Sequence, residues 1–316
     1  MQPETMKAIR FHEHGDASVL RYEDAPCPRA GVGELLVRVH AAALNPIDWK
    51  TRSGVTKHAS LSFPFTGGWD LSGVVEAVGE GCAGSAVGDK VFGLARFPEQ
   101  GATFAEYCSV PAADVVRKPA TLSHLEAAAV PLAALTAWQA LIETAELGAS
   151  QTVLVHAAAG GVGHFAVQLA KWAGATVIGT GSGASRDVVL GLGADRFIDY
   201  TARRFDDVPG YADVVLEPLS GEVRERSWAV LCEGGLLVAI VGPRPEPDEA
   251  ERRGRRAAFV LVQRNASQLE RIARLIDEGH LRPRLERVFP LAEAAEAYRL
   301  SETGHAHGKI VLAVAG

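Results

Sequence analysis

Cysteine is scarce in this chain: Cys27, Cys82, Cys108 and Cys232 are the only four in 316 residues, with no C-x-x-C spacing among them. That argues against a disulfide framework and against a thiolate zinc site. His305 and His307 are close in sequence, but no third metal ligand stands near them. There is no basic excess either. Lys and Arg number 32 against 38 Asp and Glu, a net charge of −6, which sets aside a nucleic-acid partner because that needs a basic face. The one basic cluster, Arg252 to Arg256, lies beside the acids of Glu246 to Glu251 and reads as a solvated loop. Long apolar runs are also missing. None reaches the roughly 18 residues of a membrane span, and Ala127 to Leu135 is broken by Pro131. Polar and charged residues recur from the first positions, so no secretory leader is read. The expectation is a cytoplasmic protein with reduced thiols, bound to neither membrane nor nucleic acid.

What is present is a glycine turn. Val153 to Val155 reads as a buried strand running into Ala158, Ala159, Gly160, Gly161, Val162 and Gly163, and Phe165, Val167, Leu169, Ala170 and Trp172 read as the apolar face of a helix. Glycines there let the backbone approach a pyrophosphate, and a helix N-terminus offers it free N–H groups and a positive dipole end. Ala158 stands where the usual fingerprint has its first glycine. Ala175 to Thr180 then supplies a second strand at the spacing of a βαβ unit.

The residues after that second strand choose the cofactor. An NAD site places Asp or Glu there for the ribose 2′-OH. Here Gly181 stands in that place, and no acid precedes Asp187. Ser182, a free N–H at Gly183 and the guanidinium of Arg186 would all donate to a 2′-phosphate, so NADP(H) is expected. Tyr200, closing a third strand from Arg196, either leans on the adenosine end or packs locally.

Short β segments at Lys7–Phe11, Leu35–Val39, Gly73–Val78 and Lys90–Gly93 suggest a mostly β, barrel-like first region. A helical period sets in from Ser123, and βα alternation follows, with strands near 152–156, 175–180, 196–199, 212–216, 236–241 and Phe259–Gln263. Ser267 is expected to cap a helix reaching Asp277. A further helix is read at Leu291–Leu300, and a last strand, Lys309–Val314, returns to the β region. The domain reading is therefore 1–124 with 265–316 as one domain and 125–264 as the dinucleotide-binding domain.

Six motifs carry a resemblance: Asn45 to Gly54, Gly68 to Gly79, Val87 to Gly93, Phe104 to Tyr107, Pro131 to Leu141, and Leu192 to Asp195. In that order they resemble the medium-chain dehydrogenase/reductases, specifically their zeta-crystallin-like quinone oxidoreductase branch. The resemblance implies an α/β chain with a GroES-like, β-barrel-type catalytic domain and a doubly wound Rossmann domain. It also implies a homodimer, whose sheets would join at the apolar edge strand Phe259–Gln263. Zinc members of the superfamily carry a cysteine ligand where Asn45 sits, and a four-cysteine lobe that this chain lacks, so no metal is expected.

Without a Lewis acid, the chemistry open to such a site is hydride delivery to a conjugated substrate, a quinone or an α,β-unsaturated carbonyl. Asn45 and Lys50 match the substrate-side loop and are the expected donors to the developing oxyanion, although a tyrosine often occupies the place of Lys50 in this branch. Asp48 and Arg52 are expected to pair within that loop. Thr136, Val241 and Gly242 match the positions beside the nicotinamide, and segments 54–65 and 242–256 are expected to wall the pocket. Two other readings stay open: a noncatalytic NADPH-binding protein, and an enoyl-thioester reductase.

Overall fold

The computed structural model describes residues 3–56 and 61–314, so part of the expected wall segment 54–65 lies outside the described residues. The chain divides into two compact units. One comprises Met1–Leu135, Gln263–Gly279 and Pro283–Gly316; the other comprises Thr136–Val262 and His280–Arg282. Residues 125–135, which the sequence reading placed with the nucleotide domain, therefore belong to the first unit.

The first unit is built on alternation. Strand Glu34–Leu44 presents Leu35, Val37 and Val39 to a core that also holds Leu71, Val75, Phe104 and Tyr298. It pairs antiparallel with Asp70–Val78, Tyr107–Pro111 and Lys309–Ala313. These belong to a seven-stranded sheet that continues through Lys90–Leu94 to Val115–Arg117 on one side and ends at Leu285–Pro290 on the other. Gly73 is required where two strands approach closely: a Cβ there would meet the Arg38 carbonyl oxygen at 2.1 Å. Three further strands, Arg21–Pro26, Thr5–Phe11 and Phe65–Thr66, make a small second sheet. Helix Ala266–Asp277 buries Leu269, Ile272, Ala273, Leu275 and Ile276, and its cap is Asn265, whose side chain accepts from the Gln268 N–H at 3.0 Å. The expected cap, Ser267, instead lies inside the first turn and donates to Asn265 Oδ1.

The second unit is a six-stranded parallel sheet. Its strands are Thr152–Val155, Thr176–Gly181, Arg196–Asp199, Ala212–Glu217, Leu231–Ala239 and Arg256–Phe259, in spatial order third, second, first, fourth, fifth, sixth. That is the doubly wound order whose ligands bind beyond the carboxyl ends of the strands. The edge strand differs from the expected Phe259–Gln263. Val260 and Val262 are buried while Leu261 is 48% exposed; the Val260 N–H still donates to the Ala239 carbonyl at 2.9 Å, and beyond it the residues alternate like a strand past the end of the paired segment. The fifth strand likewise ends at Ala239, ahead of the expected residue 241. Among the described residues no helix is long and apolar enough to cross a membrane.

Candidate functional site

The first strand of the second unit ends in a turn that suits a phosphate. Ala157 is held in the left-handed region (φ 49°), and its carbonyl accepts from the Gly160 N–H at 2.8 Å. A side chain at Gly163 would collide with that carbonyl at 2.1 Å, so only glycine lets the helix Gly163–Trp172 start hard against the strand end. No side chain caps this helix, whose N-cap is Val162; the His164 and Phe165 N–H groups already donate to the Gly160 and Val162 carbonyls at 3.1 Å, so what the turn offers a phosphate is the positive end of the helix and the side-chain-free backbone of its glycines. Ala159, Gly160, Gly161, Val162 and Gly163 all fall on this one turn.

His156, just before the turn, escaped the sequence reading. It is buried, with Nδ1 3.0 Å from Thr180 Oγ1 and Nε2 3.0 Å from Ser227 Oγ. The Ser227 hydroxyl is already donated to the Val223 carbonyl, which assigns the imidazole proton to Nε2 and makes Nδ1 the acceptor from Thr180. Burial, and secondarily the charge of Arg226, push its pKa down to about 3. The unfolded chain binds this proton near pH 6.5, well before the folded one does. The stability His156 contributes is therefore full at neutral pH and is lost as pH falls from there toward 3. Unfolding in urea at pH 7 and pH 4.5 should show about 3 kcal/mol of loss from this residue. His156→Gln should flatten the dependence, and equal slopes for the two proteins would remove His156 as its source.

The ribose side is formed where the second and third strands end side by side, with Gly181 in register with Asp199. Arg186 opens the helix Arg186–Gly191 and is exposed, its guanidinium 6.0 Å from the Phe197 ring centroid. Tyr200 is exposed, and its N–H donates to the Gly181 carbonyl at 3.1 Å, one residue before Ser182. The Asp199 carboxylate lies close against Gly183, where an added side chain would meet Asp199 Oδ2 at 2.7 Å. That acid comes from the neighbouring strand rather than from the end of the second one.

At the carboxyl ends of the fourth and fifth strands, a buried ion pair fixes two loops. Glu217 Oε2 accepts from Arg224 Nε at 2.6 Å, while its other oxygen takes the N–H groups of Leu219 and Ser220 at 2.5 Å each. Arg224 also donates to the carbonyls of Val241, at 2.7 Å, and Pro243. Val241 and Gly242 are thus held at the sheet's ligand-binding edge by residues the sequence reading did not single out. Thr136 is buried on the helix Pro131–Trp138.

The expected substrate loop lies in the first unit. Asn45 precedes the helix Pro46–Arg52, and its N–H donates to Asp48 Oδ2 at 2.7 Å. That capping contact explains a correction: Asp48 turns back to the helix start, so it does not pair with Arg52. Arg52 pairs instead with Glu302 at 2.7 Å and donates to the Gly15 carbonyl. Asn45 is only 3% exposed, with both ends of its amide engaged. Nδ2 donates to Asp70 Oδ2 at 2.9 Å, and Oδ1 accepts from the Lys309 ammonium. Lys309, itself buried, also donates to the Leu44 carbonyl at 2.9 Å and to Asp70 at 3.2 Å, while the other Asp70 oxygen accepts the Leu132 N–H at 2.8 Å.

Burial holds Asp70 above the usual carboxylate range against the pull of Lys309, and burial, reinforced by the Asp70 charge, pushes Asp48 up to about 8. Lys50 differs from all of these. It is half-buried, with its ammonium 5.5 Å from the Trp49 ring centroid, and makes no ion pair among the described residues. A charged residue at the first position of a strand, as in Asp70–Val78 and Lys309–Ala313, was the available signal for the buried cluster.

Among the described residues, no group of three His, Cys, Asp or Glu side chains is placed to hold a metal ion. The oxygens of Asn45 and Asp70 already face a cation, the Lys309 ammonium, so this donor set does not fit zinc.

Two family descriptions match the chain. The alcohol dehydrogenase GroES-like domain covers residues 31–120, and the zinc-binding dehydrogenase covers residues 192–312. A 2-methylene-furan-3-one reductase of Solanum lycopersicum is 34% identical over 320 residues, spanning 98% of this chain and 79% of the relative. The NADPH-dependent alkenal/one oxidoreductase, chloroplastic, of Arabidopsis thaliana is 33% identical, over 98% and 80% respectively. The solved quinone oxidoreductase from Coxiella burnetii is 39% identical, with a TM-score of 0.93 over 98% of this chain and 100% of that one. A GroES-like unit and a doubly wound dinucleotide sheet in one chain define a two-domain nicotinamide oxidoreductase. The chain belongs to the medium-chain dehydrogenase/reductase superfamily, in its quinone oxidoreductase branch.

Proposed function

We propose that the protein is an NADPH-dependent reductase of α,β-unsaturated carbonyls and quinones that works without zinc. The observation that carries this reading is the uncapped glycine turn opening helix Gly163–Trp172, with Arg186 and no acid at the end of the second strand. The residues fit NADP(H). The turn Ala159 to Gly163 holds the pyrophosphate, Ser182 and Arg186 the 2′-phosphate, and Tyr200, Thr136, Val241 and Gly242 the two ends of the dinucleotide. When bound, NADPH supplies the hydride. Lys50 would donate to the substrate carbonyl oxygen as negative charge grows on it, and water would supply the proton, to the α-carbon of an enone or to the oxygen of a quinone. A conjugated substrate disperses that charge, so a lone ammonium suffices where an isolated carbonyl would need a metal.

Two features of its setting belong to the same proposal. Among the described residues strand Arg256–Phe259 is an edge of the six-stranded sheet, which suits a homodimer joined there. Cys82, Cys108 and Cys232 form no disulfide among the described residues, which suits the reducing cytoplasm, a placement that cell fractionation tests.

The test uses protein treated with a chelator and checked for zinc. NADPH consumption is followed with 1,4-benzoquinone, a small enone and an enoyl thioester, and NADP⁺ reduction with a secondary alcohol. Turnover of quinone and enone at less than about one-tenth equivalent of zinc is expected, with alcohol untouched. Activity that returns only with zinc, or ready alcohol oxidation, would sink the reading; sedimentation of the same sample at micromolar concentration decides the dimer.

A further inference from the structure

The Asp199 carboxylate sits among the groups that would receive a 2′-phosphate. Hydrogen bonds from Thr201 hold its pKa below the usual carboxylate range, with smaller contributions from the Gly183 backbone and the Arg186 charge. The approach is tight, since a side chain added at Gly183 would meet Asp199 Oδ2 at 2.7 Å. Its other oxygen is fixed by the Thr201 N–H at 2.9 Å and the Thr201 hydroxyl at 2.6 Å. Asp199 is therefore not swinging freely in solvent. It is held by its own turn against the donors of the neighbouring strand's loop.

We propose that Asp199 is a specificity-determining residue of the nucleotide site, an internal anion that competes with the 2′-phosphate for Gly183 and Arg186 and so tempers the preference for NADPH over NADH. This rests on the reading of the second unit as an NADP(H) site. A fixed carboxylate beside a phosphate dianion offsets part of the attraction of the one guanidinium they share, and their like charges repel across a few ångströms. The same carboxylate lies within the region where a ribose 2′-OH is recognised in NAD sites, and it accepts a hydroxyl as readily as an N–H. It therefore handicaps the phosphorylated cofactor and favours the unphosphorylated one. Arg186 and Asp199 act in opposite directions on one choice.

Asp199→Asn separates this role from a purely local one. Asparagine keeps an oxygen for the Thr201 contacts and removes only the charge, and the residue is partly exposed, so the fold is not at stake. Dissociation constants for NADPH and NADH are measured by fluorescence titration on the full chain, without any substrate. The variant should bind NADPH roughly 5- to 30-fold more tightly, the scale of removing one nearby like charge at a partly screened site, with NADH unchanged or weaker. In an Arg186→Ala background the gain should shrink but not vanish, because competition for the guanidinium is gone while the relief of like-charge repulsion remains. Unchanged or weaker NADPH binding in Asp199→Asn, while the unmodified protein binds NADPH well, would overturn the role of Asp199 alone. If the unmodified protein binds neither nucleotide, the site reading falls and this inference falls with it.

Discussion

Lys309→Met is expected to cost about 3–5 kcal/mol of folding stability, measured by urea unfolding, because it leaves Asp70 fully buried with its cation removed. The shape of the side chain is nearly kept, so the loss is electrostatic rather than a packing defect. Three hydrogen bonds go with it, to the Leu44 carbonyl, Asn45 Oδ1 and Asp70 Oδ2. The pH dependence identifies the cause. Without Lys309 the folded-state pKa of Asp70 rises further above its unfolded value of about 3.9, so the penalty is small near that pH and grows as pH increases. The stability gap between variant and unmodified protein should therefore be wider at pH 8 than at pH 5. Adding Asp70→Asn should recover part of the loss, since removing both charges of a buried pair costs less than removing one. A Lys309→Met protein within about 1 kcal/mol of the original at pH 8 would show that the ammonium is not what holds this cluster.

The cluster also shows why part of the site was legible in the sequence and part was not. The glycine turn was readable because its constraint is local: strand, turn and helix N-terminus are contiguous, and the collision that demands Gly163 is with Ala157, six positions back. The sheet order followed from βα alternation in the same way. Lys309 and Asp70 are separated by 239 positions and meet only because the last strand pairs with Glu34–Leu44, itself paired with Asp70–Val78. Asp199 was missed for a related reason. The acid was sought at the end of the second strand, whereas lateral pairing of Gly181 with Asp199 brings one in from the third.

Other errors came from competing local signals. Asp48 and Arg52 have the spacing of a helical ion pair, but an acid at the third helical position is better used accepting the N–H of the residue before the helix, as Asp48 does for Asn45. The alternating burial of Val260, Leu261 and Val262 imitates a strand that ends at Phe259. Asn45 was recognised by its place in the loop, yet nothing local shows that both ends of its amide are committed to Asp70 and Lys309.

That commitment separates two residues that the sequence placed in one role, and it shapes the last expected result. Lys50→Ala should lower kcat for enone and quinone reduction by on the order of 10- to 1,000-fold, with KM for the substrate changed little, as for a donor whose interaction strengthens when charge builds in the transition state. The low end applies where water can take over the donation. Lys50 is the one ammonium of the loop helix that is half-buried and without an ion pair among the described residues, so its loss should leave stability within about 0.5 kcal/mol. Asn45→Ala should behave differently. It strips Asp70 of a donor and Lys309 of an acceptor inside a buried cluster, so it should lower stability by about 1–3 kcal/mol together with kcat. Lys50→Arg keeps the charge but changes its reach and geometry, and partial recovery of kcat would tie the effect to the cation. If Lys50→Ala turns over both substrates at the unmodified rate, the oxyanion donor lies elsewhere. If Asn45→Ala loses kcat with no loss of stability, the amide acts on the substrate directly rather than through Lys309 and Asp70.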